Sequence, residues 1–175
     1  MAFGPFHNPT QATGVLAFGL AALTALLAAR TPTVAARRSW AWIGAVHLAL
    51  VAEILVELRY VSHDTIDMAL VALGWHESRR VWQVALLLIL FATAGWAWKR
   101  WRPERAGSAL TRVARVATLI ALLNFVIESI SLHQIDAVLY RPLGPVLLNG
   151  WLWLAEGGLV TVCALLERHV GAPRR

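Results

Sequence analysis

Five apolar runs, each close to the length of a bilayer crossing and joined by short segments, leave this chain little choice of fold. They are about Thr13–Ala29, Trp40–Leu58, Val81–Trp98, Leu110–Ile130 and Pro145–Leu166. A helix rises 1.5 Å per residue, so crossing a hydrocarbon core of roughly 30 Å takes about 20 predominantly apolar residues. Apolar residues make up 58% of the 175-residue chain and charged residues 15%, against roughly 45–50% and about 25% in soluble domains. Almost nothing remains outside the five runs, so no soluble domain is expected. The sequence predicts an all-α, polytopic membrane helical bundle of five transmembrane helices.

The net charge of +6 does not point to nucleic acid, because the basic residues sit in short loops where they report topology. Arg30, Arg37 and Arg38 lie between runs one and two. Lys99, Arg100, Arg102, Arg105, Arg112 and Arg115 lie between three and four or just inside the fourth, and Arg168, Arg174 and Arg175 follow the fifth. Twelve of the sixteen Lys and Arg residues therefore fall on alternate loops, leaving Arg59, Arg79, Arg80 and Arg141 on the other side. Lys/Arg enrichment marks the cytoplasmic side. The expected location is the inner (plasma) membrane, multi-pass, with the N-terminus outside and the C-terminus cytoplasmic. Residues 1–8 carry no Lys or Arg, so the first run is read as a retained span rather than a signal peptide.

Two segments look like copies of each other. Glu53-Ile-Leu-Val-Glu57 is followed by Ser62, His63, Asp64 and Asp67, and Asn124-Phe-Val-Ile-Glu128 is followed by Ser131, His133 and Asp136. Each ends an apolar run with a carboxylate and then places Ser, His and Ile-Asp just beyond it. The implied unit is a helical hairpin with a short interfacial helix, repeated in tandem over residues 40–100 and 109–168, with residues 1–39 as an extra first span of one single transmembrane domain. Two crossings per unit give both copies one orientation, a parallel repeat about the membrane normal. Ser131-x-x-Gln134 fits a capping box for a helix over Ile135–Tyr140, stopped by Pro142 and Gly144; the matching helix starts after Ser62 and stops at Gly74.

Ionisable residues within or at the edge of a membrane are costly to keep and mark functional sites. Glu53 and Glu57 share a helix face at i,i+4, as do Asn124 and Glu128. Glu57 and Glu128 belong at the interface, Glu53 and Asn124 roughly 6 Å deeper, and Glu156 and His47 deeper still. If the two repeats face each other, these six residues form a ladder descending from the outer face, an ion or ligand pathway. His63, Asp67, His133, Asp136, Glu57 and Glu128 could together hold a divalent metal, since imidazole plus carboxylate suits zinc, iron, manganese or copper(II). No HExxH or Glu-x-x-His signature supports that set. Haem is disfavoured because His47 is the only histidine within a span, and a bis-histidine site needs ligands on facing helices. Cys163, the single cysteine, excludes an intrachain disulfide.

The nine tryptophans are read as interfacial anchors: Trp40, Trp42, Trp96, Trp98 and Trp101 at cytoplasmic ends, Trp75, Trp82, Trp151 and Trp153 at outer ends. The expected function is that of a small integral inner-membrane protein with an outward-facing His/carboxylate cleft. It binds protons, a cation or a small polar ligand, as a transport element or a subunit of a membrane complex. Two other functions fit the same residues: a membrane-embedded metal-dependent enzyme acting on a lipidic or quinone-like substrate, and a structural bundle partner without chemistry. The limited core of five spans makes a homo-oligomer or a larger complex natural partners beside the lipid bilayer. Cysteine introduced at Ser62 or Ser131 is expected to react with an impermeant thiol reagent added to intact cells; labelling only after lysis would reverse the assigned orientation.

Overall fold

The computed structural model describes residues 8–30, 34–57, 65, 68, 71–74, 79–100, 108–130 and 133–170. Six helices and one two-residue-by-two-residue hairpin account for nearly all of them. Helix α1 is Pro9–Ala28, α2 Val34–Val56, α3 Arg79–Arg100, α4 Ala109–Ile130, α5 His133–Leu139 and α6 Leu148–Val170. Strands β1 (Pro142–Leu143) and β2 (Val146–Leu147) pair antiparallel between α5 and α6. Four helices, Pro9–Ala28, Ala36–Val56, Ala109–Ile130 and Leu148–His169, are long and apolar enough to cross a membrane. In α3 the apolar stretch is Val81–Thr93.

Local signals set the helix ends. Asn8 caps α1 by accepting from Thr10 N–H at 2.9 Å, with Pro9 in the first turn where its missing N–H costs nothing. Ser108 caps α4 by accepting from Thr111 N–H at 3.0 Å. The helix expected beyond Ser131 is present as α5, ending at Leu139, and Gly144, at φ +69°, turns the hairpin that follows it. The corresponding segment after Ser62 lies largely outside the described residues.

On α1 small residues dominate the inward face and leucines the outward one. Gly14, Ala17, Ala21, Ala22, Ala25 and Ala28 make the buried face of α1, while Leu16, Leu20 and Leu23 are exposed. Lipid tails are as apolar as leucine, so association of spans relies on close van der Waals contact rather than on removing leucines from water, and small residues permit that contact. α1 packs against α2 and against α6, α4 packs against α6 and more lightly against α2, and the four close on themselves. α3 lies outside this ring and touches α4, where Gln83 Nε2 donates to the Ile130 carbonyl at 3.1 Å. The helix expected to be an extra first span, α1, is thus the one on which the bundle closes.

Two tryptophans depart from the anchoring role. Trp40 and Trp153 are fully buried, because the small residues of α1 leave room that only a large ring fills: a Cβ on Gly14 would come within 2.5 Å of the Trp153 ring. Trp82 and Trp151 are exposed, as anchors should be. The interior divides into a cluster around Trp40, Ile43, Ala114 and Val160 and another around Phe18, Ile54, Phe125 and Trp153. In the second, Phe125 and Trp153 stack with centroids 5.4 Å apart and planes 8° from parallel, a geometry that contributes about 0.5–1.5 kcal/mol beyond burial.

A Cβ on Gly157 would lie 2.7 Å from the Ala17 carbonyl oxygen, whereas one on Gly158 meets nothing within 4 Å. Gly157→Ala is therefore expected to lower the thermal midpoint in detergent, overpacking costing about 1–3 kcal/mol, while Gly158→Ala leaves it unchanged or raises it. Equal melting of the two variants by circular dichroism would show that this contact does not hold α1 to α6.

Candidate functional site

An apolar helix in a bilayer has its backbone satisfied, so a polar side chain on its buried face must find its partner on a neighbouring helix. On α4, Asn124 and Glu128 are one turn apart; on α6, Asn149 opens the buried face that continues through Trp153 and Glu156. The two faces meet. Asn124 Nδ2 donates to Asn149 Oδ1 at 3.0 Å, and Asn149 Nδ2 donates to Glu128 Oε1 at 2.8 Å. Glu128 and Asn149 are almost fully buried, and Asn124 is half-buried.

The direction of the chain of bonds is fixed by chemistry. A carboxylate oxygen accepts, so the Asn149 amide must present its NH2 to Glu128 and its oxygen to Asn124. The side chain of Asn149 is thereby oriented by both neighbours. Two turns further along α6, Glu156 is also buried; its Oε2 meets no hydrogen-bond partner among the described residues. Glu156 lies within electrostatic reach of Glu128, so a negative charge on one disfavours a negative charge on the other. On the same two helices, Phe125 and Trp153 belong to the second core cluster, and α1 packs on α6 at Gly14 and Ala17. Such an arrangement can hold a proton, a small cation or a polar group with hydrogen-bond donors, because each supplies the positive charge or donor that two buried carboxylates need.

Of the six residues expected to make a pathway, Asn124 and Glu128 are brought together through Asn149, and Glu156 is buried two turns further along α6. Glu57 is placed elsewhere: it is exposed at the end of α2, in the left-handed region at φ +56°, and its Oε1 accepts from Gln11 Nε2 of α1 at 2.5 Å. A left-handed backbone costs a non-glycine residue roughly 1–2 kcal/mol, and the turn points this carboxylate towards the start of α1. The glutamates matched by sequence, Glu57 and Glu128, thus face different partner helices. Glu53 is half-buried one turn earlier on α2, where its carbonyl accepts from Glu57 N–H at 2.8 Å. His47 is fully buried on α2; its Nδ1 donates to the Ile43 carbonyl at 2.9 Å, so in the neutral ring the lone pair sits on Nε2, which has no partner among the described residues. Its ring centroid is 5.5 Å from that of Phe18.

Among the described residues, no group of three or more His, Cys, Asp or Glu side chains is placed to hold a metal ion. His63 and Asp67 of the expected metal set lie outside the described residues, as does the side chain of His133. Asp136 is half-buried in the first turn of α5. Glu57 and Glu128, the remaining two, are held apart by Gln11 and Asn149 respectively.

Asn149 was not among the residues singled out by spacing, yet it carries the cluster. Its signal is present in the sequence: it stands seven residues before Glu156, two helical turns along the same face, beside Gly150, whose missing side chain admits Thr10 of α1. The fold and site together define a membrane-spanning helical bundle with a buried amide–carboxylate cluster. Comparison of the chain with protein-family models, with curated proteins and with solved structures finds no match.

Removing Asn149 strands a buried carboxylate. Asn149→Ala is expected to destabilise the detergent-solubilised bundle by about 1–3 kcal/mol, and less when combined with Glu128→Gln, a coupling of about 0.5 kcal/mol or more between contacting residues. Additive effects in this double-mutant cycle would mean that the bond carries no net energy.

Proposed function

We propose that this is a small five-span protein of the inner (plasma) membrane, N-terminus outside and C-terminus cytoplasmic. Its buried cluster takes up a proton, a cation or a small polar ligand from the outer face, as a transport element or as a subunit of a larger membrane complex. The observation that carries this reading is the burial of Glu128 and Glu156 on facing helices within electrostatic reach of each other. Two carboxylates so placed repel unless a positive charge joins them, and in a bilayer that charge must enter from one side. A bundle needing only mechanical strength would do better with apolar residues there.

The fifth span is supported by the course of the chain. α2 and α4 run in the same direction, since the Arg115 guanidinium near the start of α4 donates to Ser39 near the start of α2. The chain between Val56 and Ala109 must therefore return along the whole bundle. α3, with 22 residues, is about 33 Å long, enough to make that return. The parallel course of α2 and α4 also agrees with a tandem origin for the two hairpins, although their glutamates now serve different neighbours. Orientation rests on the Lys/Arg bias.

Reconstitution into liposomes with an internal pH-sensitive or cation-sensitive dye tests the reading. The wild-type chain is expected to conduct a proton or cation flux that Glu128→Gln and Glu156→Gln reduce to background, with folding by circular dichroism preserved. No flux in the wild type, or unchanged flux in both variants, would overturn the transport reading. Stoichiometric metal in the purified protein would favour a metal-dependent enzyme instead.

A further inference from the structure

At the opposite end of the bundle, one charged side chain lies where the bilayer should not tolerate it unaccompanied. Arg115 is six residues into α4, about 9 Å along the helix from its start, and is half-buried in the groove between α4 and α2. Its guanidinium donates to Ser39 Oγ, and among the described residues this is its one polar contact. A guanidinium carries five N–H donors and keeps its charge, so among the described residues most of its donors and its charge are unanswered. Arg112, one turn nearer the helix start, and Arg37 and Arg38 beside Ser39 are exposed. Trp42, one turn beyond Arg38 on α2, is half-buried against the first core cluster.

We propose that the groove between the first turns of α2 and α4 binds the phosphate of an anionic phospholipid, with Arg115 as the residue that holds it. At this depth the guanidinium sits at the boundary between acyl chains and headgroups, where phosphate is the anion the bilayer itself supplies. Arg pairs with phosphate through two parallel N–H bonds. Ser39 fixes one edge of the fork and leaves another edge to face the lipid. The lipid's acyl chains then run along the face of α4 that continues from Arg115 through Leu119 and Leu122, both half-buried. The buried cluster between α4 and α6 plays no part in this site, so the two readings stand or fall separately.

Native mass spectrometry of the detergent-purified chain, titrated with phosphatidylglycerol or with phosphatidylcholine of the same acyl chains, tests the proposal. The wild type is expected to retain phosphatidylglycerol in preference. Arg115→Gln should weaken that retention about tenfold or more, through loss of the charge-assisted pairing with phosphate, and leave phosphatidylcholine unchanged; Arg115→Lys should keep part of it. Glu104, in the segment outside the described residues, is the nearby acid in sequence, and Glu104→Gln should leave the preference intact. No preference in the wild type, an unchanged preference in Arg115→Gln, or its abolition by Arg112→Gln alone would overturn the proposal. Displacement of the lipid by millimolar-range inorganic phosphate would assign the site to a free anion and overturn the lipid as its ligand.

Discussion

The approach of α1 to α6 at Gly157, where the Ala17 carbonyl takes the space of a side chain, is the contact on which the rest of the bundle depends. Within a bilayer no hydrophobic effect distinguishes helix–helix from helix–lipid contact, so spans stay together through surface fit and polar bonds. α1 supplies the fit. Its glycine and alanine face lets α2 and α6 come close on either side, and the large rings of Trp40 and Trp153 fill what that face leaves open. With α1 in place, α6 presents Asn149 and Glu156 to α4, and the cluster forms.

The cluster is thus held from two sides by different forces. Dispersion between α1 and α6 sets the rotation of α6, and the hydrogen bonds from Asn124 through Asn149 to Glu128 set the register between α4 and α6. A slip of one residue along either helix would carry Asn149 out of reach of both partners. A polar bond inside a membrane adds modest energy but strong specificity, because few alternative pairings satisfy the same groups. The Phe125–Trp153 stack lies between the same two helices and fixes their spacing.

The two ends of the bundle differ in chemistry. At one end the carboxylates are drawn inward and paired with amides or with Gln11. At the other, Arg30, Arg37, Arg38 and Arg112 are exposed, Arg115 reaches Ser39, and Ser108 donates to Glu167 of α6. Between the two ends, His47 Nε2 and Glu156 Oε2 are buried with no hydrogen-bond partner among the described residues.

Sequence alone determined that the chain makes long apolar helices, that a short helix follows Ser131 before a turn at Gly144, and that most Lys and Arg residues fall on alternate loops, because composition, run length and capping residues act locally. It also marked Asn124, Glu128 and Glu156 as costly to bury. It did not determine which helix each polar residue faces. Repeat symmetry suggested Glu57 opposite Glu128, yet a left-handed residue at the end of α2 turned Glu57 to Gln11, and Asn149, unmarked by any motif, claimed Glu128. Likewise Trp40 and Trp153 carry the same local signal as the exposed Trp82 and Trp151, and only the small face of α1 decides that they go inside. Those choices depend on the rotation and register of helices packed against one another, quantities set by non-local surface fit that no single segment encodes.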